Sequence, residues 1–322
     1  MRFLALLAAA GLACAQPPFR LESTIPMPGV NGRIDHLSID IKNKHLFVSA
    51  LENNTLEVVD VGGGKVLTSL TGMHEPQGCA YSPDVHRVYS ANGKDGLLRI
   101  FDALSFKPLG EVDFGEDADN VRYDAARKQI WVGYKDGVLG LMDAATNKRL
   151  GDIYLDAHPE SFQLEKNGPR IFVNAPEARE IEVVDRHKKV VLAKWAVTDP
   201  QNNFPMALDE ANHRLFAGCR KPARVLVLDM ESGKRVSTFP CPGDTDDIFF
   251  DTARKRLYVA GGEGYLEGFQ QTSPDQYQSL GKIATAYKAR TGLYVPELNR
   301  FYLAVPHMGS NPGAEIRIYL VE

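Results

Sequence analysis

A chain of 322 residues, of which 44% are hydrophobic and 24% charged, can bury a full core and is too apolar for a disordered polyelectrolyte. Its 37 Lys and Arg against 41 Asp and Glu leave a net charge of −4. The basic residues are scattered, with Lys188-Lys189 and Arg254-Lys255-Arg256 as the longest runs and no aromatic platform beside them, which argues against nucleic-acid binding.

Residues 1–15, MRFLALLAAAGLACA, carry one Arg, an apolar run and a small-residue ending. The pattern predicts a secretory signal peptide cut before Gln16, so residues 16–322 form the exported periplasmic or secreted domain. A lipid anchor at Cys14 is the alternative, although Gly11 stands where such a site carries an apolar residue. No stretch reaches the roughly 20 apolar residues of a spanning helix, so no transmembrane segment is expected.

Phe19–Pro26 reads as a strand without partners ahead of it. The stretch from Glu75 to Val112 then shows one complete unit: strands at Gly78–Ser82, His86–Ala91, Gly96–Asp102 and Pro108–Val112. Val88 and Ser90 alternate against Arg87, Tyr89 and Ala91, the period of a pleated strand, and Asn92-Gly93 is expected to supply positive φ at the following turn.

The same unit recurs along the chain. With the apolar residue of the second strand as anchor, it appears at Leu46, Val88, Ile130, Ile171, Leu215, Leu257 and Phe301, in steps of 42, 42, 41, 44, 42 and 44 residues. In five units an Asp ends the third strand (Asp60, Asp102, Asp143, Asp185 and Asp229), where a carboxylate can accept the N–H groups of the next turn. The last unit offers Thr291–Val295, Asn299–Val305 and Glu315–Val321 and then stops, so the N-terminal strand is expected to complete it. Four strands per period of 40–45 residues predict an all-β, seven-bladed β-propeller of four-stranded antiparallel blades.

Units such as RVYSANGKDGLLRIFDALSFKPLGEV and HLFVSALENNTLEVVDVGGGKVLTSL resemble the YVTN-type repeat of YncE-like propellers, over nearly all of the chain after the leader. The resemblance implies the ring. It assigns no catalytic residue, because the repeat describes blade packing on a scaffold with varied ligands.

The first strand of each blade lines the tunnel of such a ring. Eleven residues before the anchors stand Asp35, Gln77, Asp119, Glu160, Phe204, Asp246 and Arg290; ten before stand His36, Asn120 and Asp247 among others; thirteen before stand Arg33, Glu75, Asp117 and His158. Loops with Asn53-Asn54, Lys94-Asp95, Lys135-Asp136, Arg220-Lys221, Glu263 and His307 should surround the same mouth. Candidate ligand-binding residues are therefore Asp35, His36, His74, Glu75, Asp119, Asn120, His158, Glu160, Arg220, Asp246, Asp247 and Arg290, since converging polar groups in a concavity are the default binding site. Arg290 is expected to be the only cation at the level of the four carboxylates. Asp246 and Asp247 are neighbours on a strand and should point to opposite sides, one to the tunnel and one between blades.

Imidazole with carboxylate would suit zinc, copper or iron, and carboxylate with Asn would suit calcium, so a divalent metal is the candidate cofactor. Cys79 sits in an apolar strand and Ser161 lacks a nucleophile elbow, leaving nucleophilic catalysis without support. Cys219 and Cys241 would be about 9–10 Å apart across an intervening strand unless loops bend inward, and their pairing stays open. The reading is a monomeric propeller that binds a small molecule, ion or protein at the tunnel mouth without catalysis of its own. The alternative is a lactonase-like hydrolase using a metal-bound water. A ring presenting Phe204, Tyr265 and Tyr287 for protein assembly is a third reading.

Overall fold

A computed structural model describes residues 17–322; the leader, the cleavage point before Gln16 and Cys14 lie outside the described residues. Seven four-stranded antiparallel sheets follow one another, as the period predicts. The first runs through Leu37–Asp40, His45–Ala50, Thr55–Asp60 and Lys65–Leu70, and the next five repeat that order. The seventh joins Gly292–Val295, Arg300–Val305 and Glu315–Val321 to Phe19–Pro26 from the opposite end of the chain. Pairing runs from Phe19 opposite Val321 to Pro26 opposite Glu315, with one irregularity between Leu21 and Ser23. Phe19 packs edge-on to Tyr258 and Phe301 with ring centres 5.3 and 6.1 Å away, so the closing strand also bridges to the sixth blade.

Each blade is sandwiched between two others, and this decides the burial pattern. The apolar residues gather into seven clusters, one at every junction between neighbouring blades; Phe47 and Val58 of the first blade meet Val88 and Phe101 of the second. Second strands such as His45–Ala50 and Arg87–Asn92 are consequently buried on both faces after their first residue. The alternation expected around Val88 does not separate an inner from an outer side. Outer strands behave differently: Lys65–Leu70 alternates exposed and half-buried positions.

The turn carboxylates act as the spacing predicts. Asp60, Asp102, Asp143, Asp185 and Asp229 each accept two consecutive backbone N–H groups of the following turn, at 2.7–3.2 Å. Asp102, Asp143, Asp185 and Asp229 are held below the ordinary carboxylate range, and in each case backbone or hydroxyl donors of that turn hold the charge. The turn after the second strand of the second blade differs from expectation. Asn92 closes the strand and uses its amide to donate to the Ser90 and Leu97 carbonyls, while Gly96 supplies the positive φ. One glycine is demanded by close approach: a Cβ on Gly78 would lie 2.3 Å from the Asp119 carbonyl, so the first strands of the second and third blades can touch only there.

No helix of the described residues is long and apolar enough to cross a membrane. Cys79, Cys219 and Cys241 are free thiols, and the Arg224 strand position stands between Cys219 and the Pro240 that precedes Cys241. Burial pushes the Cys219 thiol up to about 12.

Candidate functional site

The first strands begin with equivalent backbone bonds, which sets their starting residues at one level. Asp35, Asp119 and Glu160 donate their N–H groups to Ser49, Gly133 and Asn174, each three residues beyond its blade's anchor, at 2.7, 2.9 and 3.0 Å. The residues that follow, His36, Asn120 and Ser161, accept from the same three partners. All seven positions of the ring, Asp35, Gln77, Asp119, Glu160, Phe204, Asp246 and Arg290, line a single cavity of about 310 Å³ at the tunnel mouth.

The cavity is strongly charged, and the aspartates at the level of the ring are paired. Arg33 lies 2.9 Å from Asp35, Arg220 lies 2.6 Å from Asp246, and Arg290 lies 2.8 Å from both Asp246 and Asp244. Lys288 adds a contact of 2.8 Å to Asp244. Arg290 is therefore joined by Arg33 and Arg220, contrary to the expectation of one cation. Arg33 enters from two residues ahead of the ring position, and Arg220 reaches in from the end of the strand Arg214–Lys221 with its guanidinium 3.7 Å above the Phe204 ring.

Two histidines complete the pairing. His158 donates from Nδ1 to the Lys135 carbonyl at 2.6 Å and turns Nε2 toward Asp119 at 3.5 Å. Burial alone would depress its pKa, but the Asp119 carboxylate outweighs burial and the group rises to about 9. His36 is flanked by Asp35 at 3.8 Å and Asp247 at 3.6 Å; burial again opposes the charge, and the carboxylates raise the group to about 10. For Asp119 burial works against ionisation, yet His158, His36 and Arg33 hold it below the ordinary range. Asp35 is more deeply enclosed, and burial wins there, lifting it to about 6 despite His36 and Arg33.

Glu160 is the exception. It lines the cavity and forms no ion pair among the described residues. Burial together with the nearby charges of Asp119 and Asp246 pushes it up to about 8, so at neutral pH it is largely a protonated acid able to donate a hydrogen bond.

Other candidates fall elsewhere. His74 and Glu75 are exposed outside the cavity: His74 contacts Asp95 at 2.7 Å, and the Glu75 N–H donates to Asn54. They precede the strand on a turn that bends outward, with Glu75 at positive φ. Asn120 is buried and does not line the mouth. Asp247 faces the tunnel like Asp246, because the strand is irregular between Thr245 and Asp247 and simple alternation is broken. Asp247 lies farther down, accepting the Gly292 N–H at 2.8 Å. Asp136 and Glu177 reach the mouth from loops, and Asp117 from the turn ahead of the ring. Only Asp136 among these loop residues carried a sequence signal, through the repeat register of its loop.

Among the described residues no three His, Cys, Asp or Glu side chains gather so that they could hold a metal ion. The carboxylates of the ring turn to guanidinium and imidazolium groups instead.

No protein-family model and no curated protein matches the chain. Among solved structures it is similar to a chain in the crystal structure of a mitotic checkpoint complex, at a TM-score of 0.79 and 14% identity, over 100% of this chain and 99% of the other. At that identity the likeness shows the fold alone, which is the seven-bladed ring.

Proposed function

We propose that the protein is an exported binding module of the YVTN propeller type, acting as a monomer and taking a small, polar molecule with a protonated amine at the tunnel mouth. The repeat motifs support the family, the leader sequence supports export, and the completion of the seventh blade by the chain's own N-terminal strand supports a ring that closes without a second copy. The observation that carries the ligand reading is Glu160. Asp35, Asp117, Asp119 and Asp246 are matched to cations, and of the three lining acids with no ion pair among the described residues Asp136 and Glu177 are exposed at the rim, so Glu160 is the enclosed one. Counted over the lining, Asp35, Asp117, Asp119, Asp136, Glu160, Glu177 and Asp246 exceed Arg33, Arg220, Arg290, His36 and His158 by two charges if all are ionised. An ammonium group answers that surplus and favours loss of the Glu160 proton. The pairing of Asp35, Asp119 and Asp246 with cations is suited to orienting hydrogen-bonding groups of a ligand.

A thermal-shift panel tests this reading, with ethanolamine, putrescine and lysine methyl ester set against ethylene glycol, butanediol and acetate at constant ionic strength. At least one amine should raise the melting temperature in a saturable way, and its alcohol counterpart should not. Equal responses to amines and alcohols, or a response to none of the amines, would remove the proposal.

A further inference from the structure

Below the mouth the tunnel opens into a second chamber of about 350 Å³, lined by first-strand residues of all seven blades. His36 borders both spaces and forms the collar between them. The second chamber differs in chemistry. Much of its wall is apolar, with Leu37, Met206, Ile248 and Leu293, and one guanidinium, that of Arg122, faces it.

We propose that this chamber is a second, separate site that binds a small organic monocarboxylate, its carboxylate on Arg122 and its short apolar body against Met206, Ile248 and Leu293.

Arg122 carries the inference. A guanidinium offers five N–H donors, yet among the described residues this one makes a single hydrogen bond, to the neighbouring Val121 carbonyl at 2.9 Å. Its nearest acidic influences are Asp247 and Asp119, and neither forms an ion pair with it. Asp247 is already engaged by the Gly292 N–H at 2.8 Å and by His36 at 3.6 Å, while Asp119 is turned to His158. A guanidinium stays charged at neutral pH, and because His36 is held between Asp35 and Asp247, the charge of Arg122 is the one in the chamber that no described carboxylate pairs. Two hydroxyls extend the donor set. Ser38 Oγ is buried without a protein partner, and Ser161 lines the same wall. Buried donors without acceptors are costly unless something answers them, and a fork of parallel N–H groups matches the geometry of a carboxylate. The apolar wall selects an anion with a hydrocarbon body over an inorganic one. Cys79 stands nearby but offers no competing anion, because burial lifts its thiol to about 11.

The probe is 4,4,4-trifluorobutyrate, followed by 19F NMR on the whole protein at constant ionic strength. Saturable binding is expected, displaced by butyrate and not by butylammonium or phosphate. Arg122→Gln should weaken it about tenfold or more, whereas Glu160→Gln, at the mouth, should leave it unchanged. If Arg122→Gln does not fold, Arg122→Lys keeps the charge but loses the fork and should bind measurably more weakly than the native protein. Failure of the native protein to bind the probe, undiminished binding in the Arg122 variants, or displacement by phosphate as readily as by butyrate would each overturn the second site. Because the amine panel reads the mouth through Glu160, either site can fail without the other.

Discussion

Arg290 Nε lies 2.8 Å from Asp246 Oδ2, joining residues that occupy the same position in adjacent repeats. Arg220 holds the other oxygen of that carboxylate at 2.6 Å, so Asp246 is clamped between two guanidinium groups from neighbouring parts of the ring. Replacing it leaves two mostly buried cations to share Asp244, which Lys288 also contacts. Asp246→Asn should therefore destabilise the protein by about 3 kcal/mol, rather than relieve a repulsion among carboxylates. Urea unfolding checks this, and a stability equal to the native protein would show that the clamp is idle.

Glu160→Gln should have the opposite character. The side chain has no ionic partner among the described residues and sits in the field of Asp119 and Asp246, so removing its charge should change stability by less than about 0.5 kcal/mol or raise it slightly. Circular dichroism melts of this variant beside Asp246→Asn separate an unpaired binding group from a structural one.

Closure of the ring rests on Phe19–Pro26. Phe19 and Ile25 are buried in the clusters on either side of the seventh blade, so Phe19→Ala should cost about 3–5 kcal/mol. Arg20→Ala, at an exposed pair with Glu322, should cost less than about 1 kcal/mol. Similar losses in both variants would mean that the strand is held by its edge contacts and not by its core side chains.

The turn carboxylates give a graded control. Asp102→Ala removes acceptors for the Leu104 and Ser105 N–H groups and should cost about 1 kcal/mol, with no effect on amine binding at the mouth. Chemical denaturation together with the amine titration tests both halves of that statement.

Stability should fall as the solution becomes alkaline. A group whose pKa is raised by folding binds more protons folded than unfolded, so its contribution is full below the unfolded value and is lost as pH rises through the folded one. His158 climbs from an ordinary 6.5 to about 9 and His36 to about 10, and Glu160 adds the same sign from 4.5 to about 8. Melting temperature should thus decline between about pH 6.5 and 9, and His158→Gln should flatten the slope. A native melting temperature that is level or rising across that interval would contradict the charges assigned to the mouth.

Much of this site was legible because a repeat protein converts sequence register into spatial level. Counting eleven residues back from Leu46, Val88 and their equivalents picks out the seven residues that ring the mouth. What register could not show was the reach of side chains. Arg33 and Arg220 meet Asp35 and Asp246 from two residues ahead of the ring and from the end of a strand in the adjacent blade, and register placed both near the mouth without showing which carboxylate each would reach. Register drew Glu75 into the candidate set, with the neighbouring His74 beside it, and the turn that carries both leaves them outside the cavity. The bulge before Asp247 defeated alternation in the same way, turning both neighbouring aspartates to the tunnel. Arg122 escaped notice because only the three-dimensional tunnel shows that its guanidinium faces a chamber with no ion-pair partner among the described residues.

The most direct test of the central claim is calorimetric titration of the best amine from the panel into the native protein and into Glu160→Gln at pH 7, in two buffers of different ionisation enthalpy. Binding should release a proton from Glu160 in the native protein, the affinity should rise as pH approaches 8, and Glu160→Gln should lose both the release and about tenfold or more in affinity. Equal affinity in the two proteins, or binding without proton release at neutral pH, would contradict the assignment of Glu160 as the ligand's partner.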